Sequence, residues 1–170
     1  WAPPDEDLAA ALYETTQTVL ETAGFEAYEV SNHARGLAAR SAHNLHVWRG
    51  GDYLGLGPGA HGRLTVDGVR TATVAHRRIG DYIAGVAAGA PWSERLALSP
   101  AEAAEERILL GLRTVEGASL SDLSTLGRSP SRGPLANLLA DGFLALSGDR
   151  VAATPRGRPV LDGVLKALLT

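Results

Sequence analysis

The sequence predicts a mixed α/β segment followed by an α+β module. Three observations lead there. Asp67-Gly68 stands between Arg63-Leu64-Thr65-Val66 and Val69-Arg70-Thr71-Ala72-Thr73, the pattern of a two-residue β-hairpin turn. Ser99-Pro100-Ala101-Glu102 is a capping box with proline at the first helical position. From there the order helix, helix, helix, hairpin, helix is that of a winged-helix-like module.

Taken in order, Pro4-Asp5 opens a helix, with Asp5 as N-cap. Leu8, Leu12, Thr15, Val19 and Ala23 form its apolar stripe, and Gly24 closes it. Phe25 to Val30 reads as a strand and Ser31 to Ala39 as a loop. Residues 41–48 suit a short helix, and Tyr53 to Leu56 a buried strand. After the hairpin, residues 76–88 read as a helix with Ile79, Ile83 and Val86 on one side, ended by Gly89-Ala90-Pro91. Residues 91–98 read as a linker. The helix from Ser99 carries Ala104, Ile108 and Leu112, a shorter one starts at Ser119, and another runs from Gly133 to Asp141 and stops at Gly142. Phe143 to Leu146 and Val151 to Ala153 make a second hairpin. Thr154-Pro155 is expected to cap a last helix with Leu161, Val164, Leu165 and Leu168 at helical spacing.

With 170 residues, 45% of them apolar, the chain has room for one domain or for one and a smaller second. A net charge of −3 gives no general attraction to nucleic acid or to anionic membranes. The absence of cysteine excludes disulfides, thiolate metal sites and a cysteine nucleophile within these residues. The chain starts at Trp1 and has no methionine, so it reads as a fragment. With neither a signal peptide nor an apolar run of membrane-spanning length, a cytoplasmic location is expected.

The chemistry concentrates between Arg40 and Gly62, which hold three of the five histidines and six of the twenty glycines. His43 and His46 lie three residues apart, on one face if the segment is helical. Neutral imidazole is a usual nitrogen ligand for iron or zinc. Gly57-Pro58-Gly59-Ala60-His61-Gly62 satisfies G-x-G-x-x-G literally, yet a hairpin follows where a dinucleotide site needs a helix. The loop therefore reads either as a tight turn or as a contact to a cofactor. In the C-terminal module the expected recognition helix, 133–141, has no basic residue, which argues against nucleic acid as a partner.

Tyr28-Glu29-Val30-Ser31-Asn32, then H-N-x-x-x-W at His43 to Trp48, then Gly55-Leu56-Gly57-Pro58-Gly59-Ala60-His61-Gly62 come in close succession. Together they resemble the C-terminal part of the radical S-adenosylmethionine proteins related to oxygen-independent coproporphyrinogen III oxidase. H-N-x-x-x-W is similar to the H-N-x-x-Y-W of the HemW-type heme-chaperone branch. The tail from Asp141-Gly142-Phe143-Leu144 to Thr154-Pro155-Arg156-Gly157-Arg158 is similar to the family's C-terminal domain. The resemblance implies that residues 1–90 are the terminal part of a partial radical-SAM β/α barrel, 91–98 a linker and 99–170 a winged-helix-like C-terminal domain. It implies that His43, Asn44 and Trp48 bind heme, with His43 an iron ligand and His46 secondary. It implies that Gly57, Gly59 and His61 lie on the S-adenosylmethionine side. A 4Fe-4S cluster and S-adenosylmethionine would be held by a missing N-terminal part. No catalytic residue is expected here, because none of these residues can hold the cluster. The expected partners are heme, heme-acceptor proteins (membrane-associated ones among them) and that N-terminal part. The alternatives are a radical-SAM porphyrinogen decarboxylase of the same family and a structural or DNA-binding winged-helix module. Two positions depart from the family pattern: Ala42 stands where it has Arg, and Val47 where it has Tyr.

Overall fold

A computed structural model describes residues 3–170; Trp1 and Ala2, which open the expected first segment, lie outside the described residues. The chain begins with α1 (Glu6–Thr22), capped by the Asp5 carboxylate on the Leu8 N–H at 2.8 Å. At its far end Gly24 takes φ +78°, and Phe25 N donates to Leu20 O, a Schellman closure that needs glycine. The expected strand at 25–30 is short: β1 (Glu26–Ala27) pairs with β2 (His33–Ala34), inside the stretch expected as a loop. A 3-10 turn at Leu37–Ala39 leads into α2 (Ala42–Trp48).

The central sheet has the antiparallel order β3-β4-β5. β3 (His61–Val66) and β4 (Val69–Ala75) turn at Asp67 and Gly68, both with positive φ, as a type I′ turn requires. β5 (Trp92–Ala97) pairs with β4 from Thr71↔Ala97 to Ala75↔Trp92. Residues 91–98 are therefore not a free linker. β4 offers its second edge, and that long-range pairing orders a stretch with weak local signals. α3 (Ile79–Ala87) connects β4 to β5. Tyr53–Leu56 is not a buried strand either. Tyr53 makes a single bridge to Arg63, and Leu54 and Leu56 point outward, 66% and 83% exposed. Every strand pair among the described residues is antiparallel.

The last part contains α4 (Pro100–Gly111), β6 (Ala118–Ser119), α5 (Leu120–Thr125), α6 (Gly133–Ala140), β7 (Leu144–Ser147), β8 (Arg150–Ala153) and α7 (Leu161–Leu169). Its sheet order is β6-β8-β7. The capping box at Ser99 and Glu102 is complete in both directions. The buried residues of the main core all come from this part, with Val30 packed against them: Ile108, Leu112, Leu123, Leu135, Leu144, Val151 and the α7 stripe Leu161, Val164, Leu165 and Leu168 are all buried. Thr154 does not cap α7. Its hydroxyl donates to Gly142 O at 2.7 Å and accepts from Gly157 N, holding a 3-10 turn at Arg158–Val160 that comes before the helix.

The first ninety residues bury little by comparison. Their buried apolar cluster is Tyr28, Ala34 and Leu45. Leu8, Leu12 and Val19 on α1, and Ile79, Ile83 and Val86 on α3, are each more than half exposed. The helical periodicity is real, and among the described residues those faces are left largely uncovered.

Candidate functional site

The Tyr28–Asn32 stretch positions α2. Tyr28 is buried, and its hydroxyl accepts from Ser41 N at 3.2 Å, one residue ahead of the helix. Ser41 Oγ in turn caps Asn44 N at 3.2 Å. Glu29 is 1% exposed; its carboxylate accepts from the Asn32 amide and from Ser31 Oγ, and its backbone bridges to Thr114. Val115 N donates to Tyr28 O at 3.2 Å. The motif is thus a seam between α2 and the turn after α4.

The two histidines of α2 differ sharply. His43 lies in the first turn and is exposed. Its Nδ1 lies 3.5 Å from Asn44 Oδ1, and its Nε2 has no hydrogen-bond partner among the described residues. His46 lies in the last turn, where its Nε2 donates to Asp52 O at 2.7 Å. The His46 ring packs so closely on Gly51 that a Cβ there would collide with it. Binding iron through Nε2 would break that bond. Trp48 closes α2 with its Nε1 buried and without a partner among the described residues, and Arg113 lies 5.9 Å from the ring centroid. α2 packs on α4. Trp48 and Val47 are both half-buried at the end of α2. A shallow cleft of about 550 Å³ flanks the helix, lined by Leu37, Arg40, Leu45, His46 and Arg49 among others.

The glycine loop is internally satisfied. Gly57 N donates to the Tyr82 hydroxyl at 3.1 Å, Gly59 N to His76 O at 2.9 Å and Ala60 N to Gly57 O at 3.2 Å. These three N–H groups are therefore already engaged within the protein. Gly55 and Gly62 serve close backbone crossing instead: a Cβ on Gly62 would lie 2.6 Å from Thr73 Oγ1, and one on Gly55 would collide with His61 O. His61 itself is exposed at the start of β3. His33 is held apart by Gln17 Oε1 at 2.9 Å. Among the described residues no group of three or more His, Asp or Glu side chains is placed to hold a metal ion.

Charged residues fix α2 to its surroundings, and little in the local sequence signals them. Arg49 grips Glu116 with two bonds, Nε to Oε2 at 2.9 Å and Nη2 to Oε1 at 2.5 Å. The Arg49 hydrogen bond holds the Glu116 carboxyl below its usual range against the opposing effect of burial. Arg70, 7% exposed, donates from Nη1 to Gly50 O at 2.8 Å and from Nε to Glu106 Oε1 at 2.9 Å. The available signal was an arginine at an inward strand position between Val69 and Thr71, two residues past a tight turn.

Residues 98–160 match the family described as the HemN C-terminal domain. A heme chaperone HemW of Mycobacterium tuberculosis is 37% identical over 169 residues, covering 99% of this chain and 41% of the relative. Over nearly its whole length the chain is similar to this heme chaperone. The mouse protein named radical S-adenosyl methionine domain-containing protein 1, mitochondrial, is 36% identical over 181 residues, covering 98% of this chain and 40% of its own length. In structure, the Escherichia coli coproporphyrinogen III oxidase HemN, a radical SAM enzyme, superposes with a TM-score of 0.67 at 15% identity, over 98% of this chain and 42% of that one. The chain spans about two fifths of the length of these relatives. No described helix is long and apolar enough to cross a membrane.

Proposed function

We propose that this chain is the heme-handling C-terminal part of a HemW-type protein, with heme as cargo to be passed to an acceptor protein. The observation that carries the reading is His43. It is an exposed imidazole with an unengaged Nε2, on a helix anchored from both ends. Heme iron takes a single imidazole as axial ligand, so one such group is enough. Asn44 stands beside Nδ1 and is suited to orient the ring. His46 fits a structural role better. Trp48 contributes by holding α2 on α4 rather than by offering a bare face.

The 4Fe-4S cluster and S-adenosylmethionine belong, on this reading, to a part of the protein beyond these residues. The chain has no cysteine to bind the cluster, and the loop N–H groups at Gly57 and Gly59 are engaged elsewhere. His61 remains the exposed side chain of that loop suited to a cofactor contact. The open apolar faces of α1 and α3 fit burial against such a part, as the end of a barrel would require. The segment from residue 99 is winged-helix-like on this reading. Its α6 bears no basic side chain, which suits packing against protein better than binding DNA.

The oxidase reading is tested alongside. The full-length protein, loaded with heme, is mixed with an apo-hemoprotein acceptor and followed by absorbance. Separately it is given coproporphyrinogen and S-adenosylmethionine under reducing anaerobic conditions. Transfer without decarboxylation is the expected outcome; decarboxylation without heme uptake would replace the chaperone reading with the oxidase.

A further inference from the structure

The cleft of about 550 Å³ beside α2 joins apolar surface to an unbalanced charge. Leu37, Ala42 and Leu45 line it, and Leu37 is 77% exposed. Arg40 and Arg49 line it too, and no acidic side chain among the described residues does. Arg49 gives Nε and Nη2 to Glu116; its Nη1 has no hydrogen-bond partner among the described residues, and the side chain is 55% exposed. Arg40 makes no hydrogen bond among the described residues. Its Nη2 lies 3.6 Å from Glu26 Oε2, its guanidinium carbon lies 5.7 Å from the Tyr28 ring centroid, and its nitrogens all keep some contact with solvent. Arg49 first, then Arg150 and Arg40, hold the Glu116 carboxyl below its usual range against burial. Three guanidiniums therefore gather about two carboxylates, Glu116 and the mostly exposed Glu26. One positive charge is left over.

Granting heme as the cargo, on which this inference rests, we propose that this cleft seats its propionate edge: Arg40 and Arg49 Nη1 hold one propionate, and Leu37 and Leu45 receive the adjoining rim of the macrocycle. A carboxylate is the acceptor that a guanidinium matches best. The single surplus charge suits one propionate and leaves the second in water. His43 borders the side of α2 that faces the cleft, about 60° around the helix from His46, which lines it. Iron ligation alone leaves the macrocycle free to turn about the iron–nitrogen bond. A guanidinium pair on the rim removes that freedom, so the two anchors together set both the position and the orientation of the heme.

The test titrates the full-length protein with heme and with heme dimethyl ester. The ester keeps the iron and the macrocycle but carries no propionate charge. The readouts are the dissociation constant from Soret absorbance and the propionate bending bands in resonance Raman spectra. Arg40→Gln removes the proposed donor but also its packing on Tyr28. Leu37→Glu, at an exposed position, sets a negative charge in the cleft and leaves both arginines in place; it decides alone where Arg40→Gln does not fold. Heme is expected to bind at least tenfold more tightly than the ester. Each variant should cut that preference at least threefold and keep the imidazole-ligated Soret band, with the melting temperature of Leu37→Glu unchanged. Equal affinity for heme and ester, or a preference that persists undiminished in Leu37→Glu or in folded Arg40→Gln, would overturn the proposal and leave His43 ligation standing. Failure of the unaltered protein to bind either ligand would overturn the heme reading and this inference with it.

Discussion

Glu106 Oε1 accepts from Arg70 Nε at 2.9 Å, and this bond ties the first helix of the C-terminal module to the central strand of the preceding sheet. The other oxygen, Oε2, accepts from Arg63 Nε at 2.7 Å. One carboxylate thus fastens two strands to α4. Arg70 reaches on to Gly50 O, so the same network steadies the end of α2.

Glu106→Gln is expected to destabilise the protein by about 2–3 kcal/mol, the scale of hydrogen bonds to charged groups lost at a largely buried site. Chemical denaturation at neutral pH measures it. A change within error would mean that the two arginines are satisfied by water instead.

The same pair sets an acid dependence. Burial pushes the Glu106 carboxyl upward, but the hydrogen bonds and charges of Arg63 and Arg70 outweigh it and hold it below its ordinary value of 4.5. The folded state therefore binds this proton less tightly than the unfolded chain does. The stabilisation is complete above the ordinary value and is lost as pH falls through the lower folded value. Glu116, held down by Arg49, adds in the same direction. Stability measured between about pH 5 and pH 3 should fall less steeply in Glu106→Gln than in the unaltered protein.

The glycine loop separates crowding from backbone strain. Gly62→Ala puts a methyl 2.6 Å from Thr73 Oγ1 and 3.0 Å from Gly55 N, which forces the loop off β3. Gly57→Ala meets nothing within 4 Å but inherits φ +107°. Thermal melts should show Gly62→Ala losing about 3 kcal/mol or more and Gly57→Ala about 1–2 kcal/mol. The reverse order would mean that the loop is not clamped where the backbones cross.

A chain of residues 98–170 should melt cooperatively on its own, because the main buried cluster lies wholly within 108–168. Circular dichroism during heating checks this. A sloping, non-cooperative melt would show that the packing of Val30 against this cluster is essential to it.

What could be read from the sequence was what local chemistry decides. Asp67-Gly68 demanded a type I′ turn, and Ser99 with Glu102 demanded a helix start, whatever surrounds them. Trp92–Ala97 was missed because its strand state depends on β4, twenty residues earlier in the chain. Tyr53–Leu56 misled because apolar composition does not say whether a partner covers it, and Leu54 and Leu56 remain open. At the site, the short helix over residues 41–48 was legible, though its Ser41 cap was not read. The ranking of His43 above His46 came only from the resemblance; its structural basis was not legible, since it rests on the Asp52 carbonyl and on the closeness of Gly51, both set by how the chain folds back after the helix.

That contrast gives the most direct measurement: heme titration of the full-length protein, followed by Soret absorbance, with His43→Ala and His46→Ala side by side. His43→Ala should lose the imidazole-ligated Soret band with little change in melting temperature. His46→Ala should keep the band and lose about 1 kcal/mol of stability, since it gives up one hydrogen bond. An unchanged Soret band and affinity in His43→Ala would contradict the account, whatever His46→Ala does.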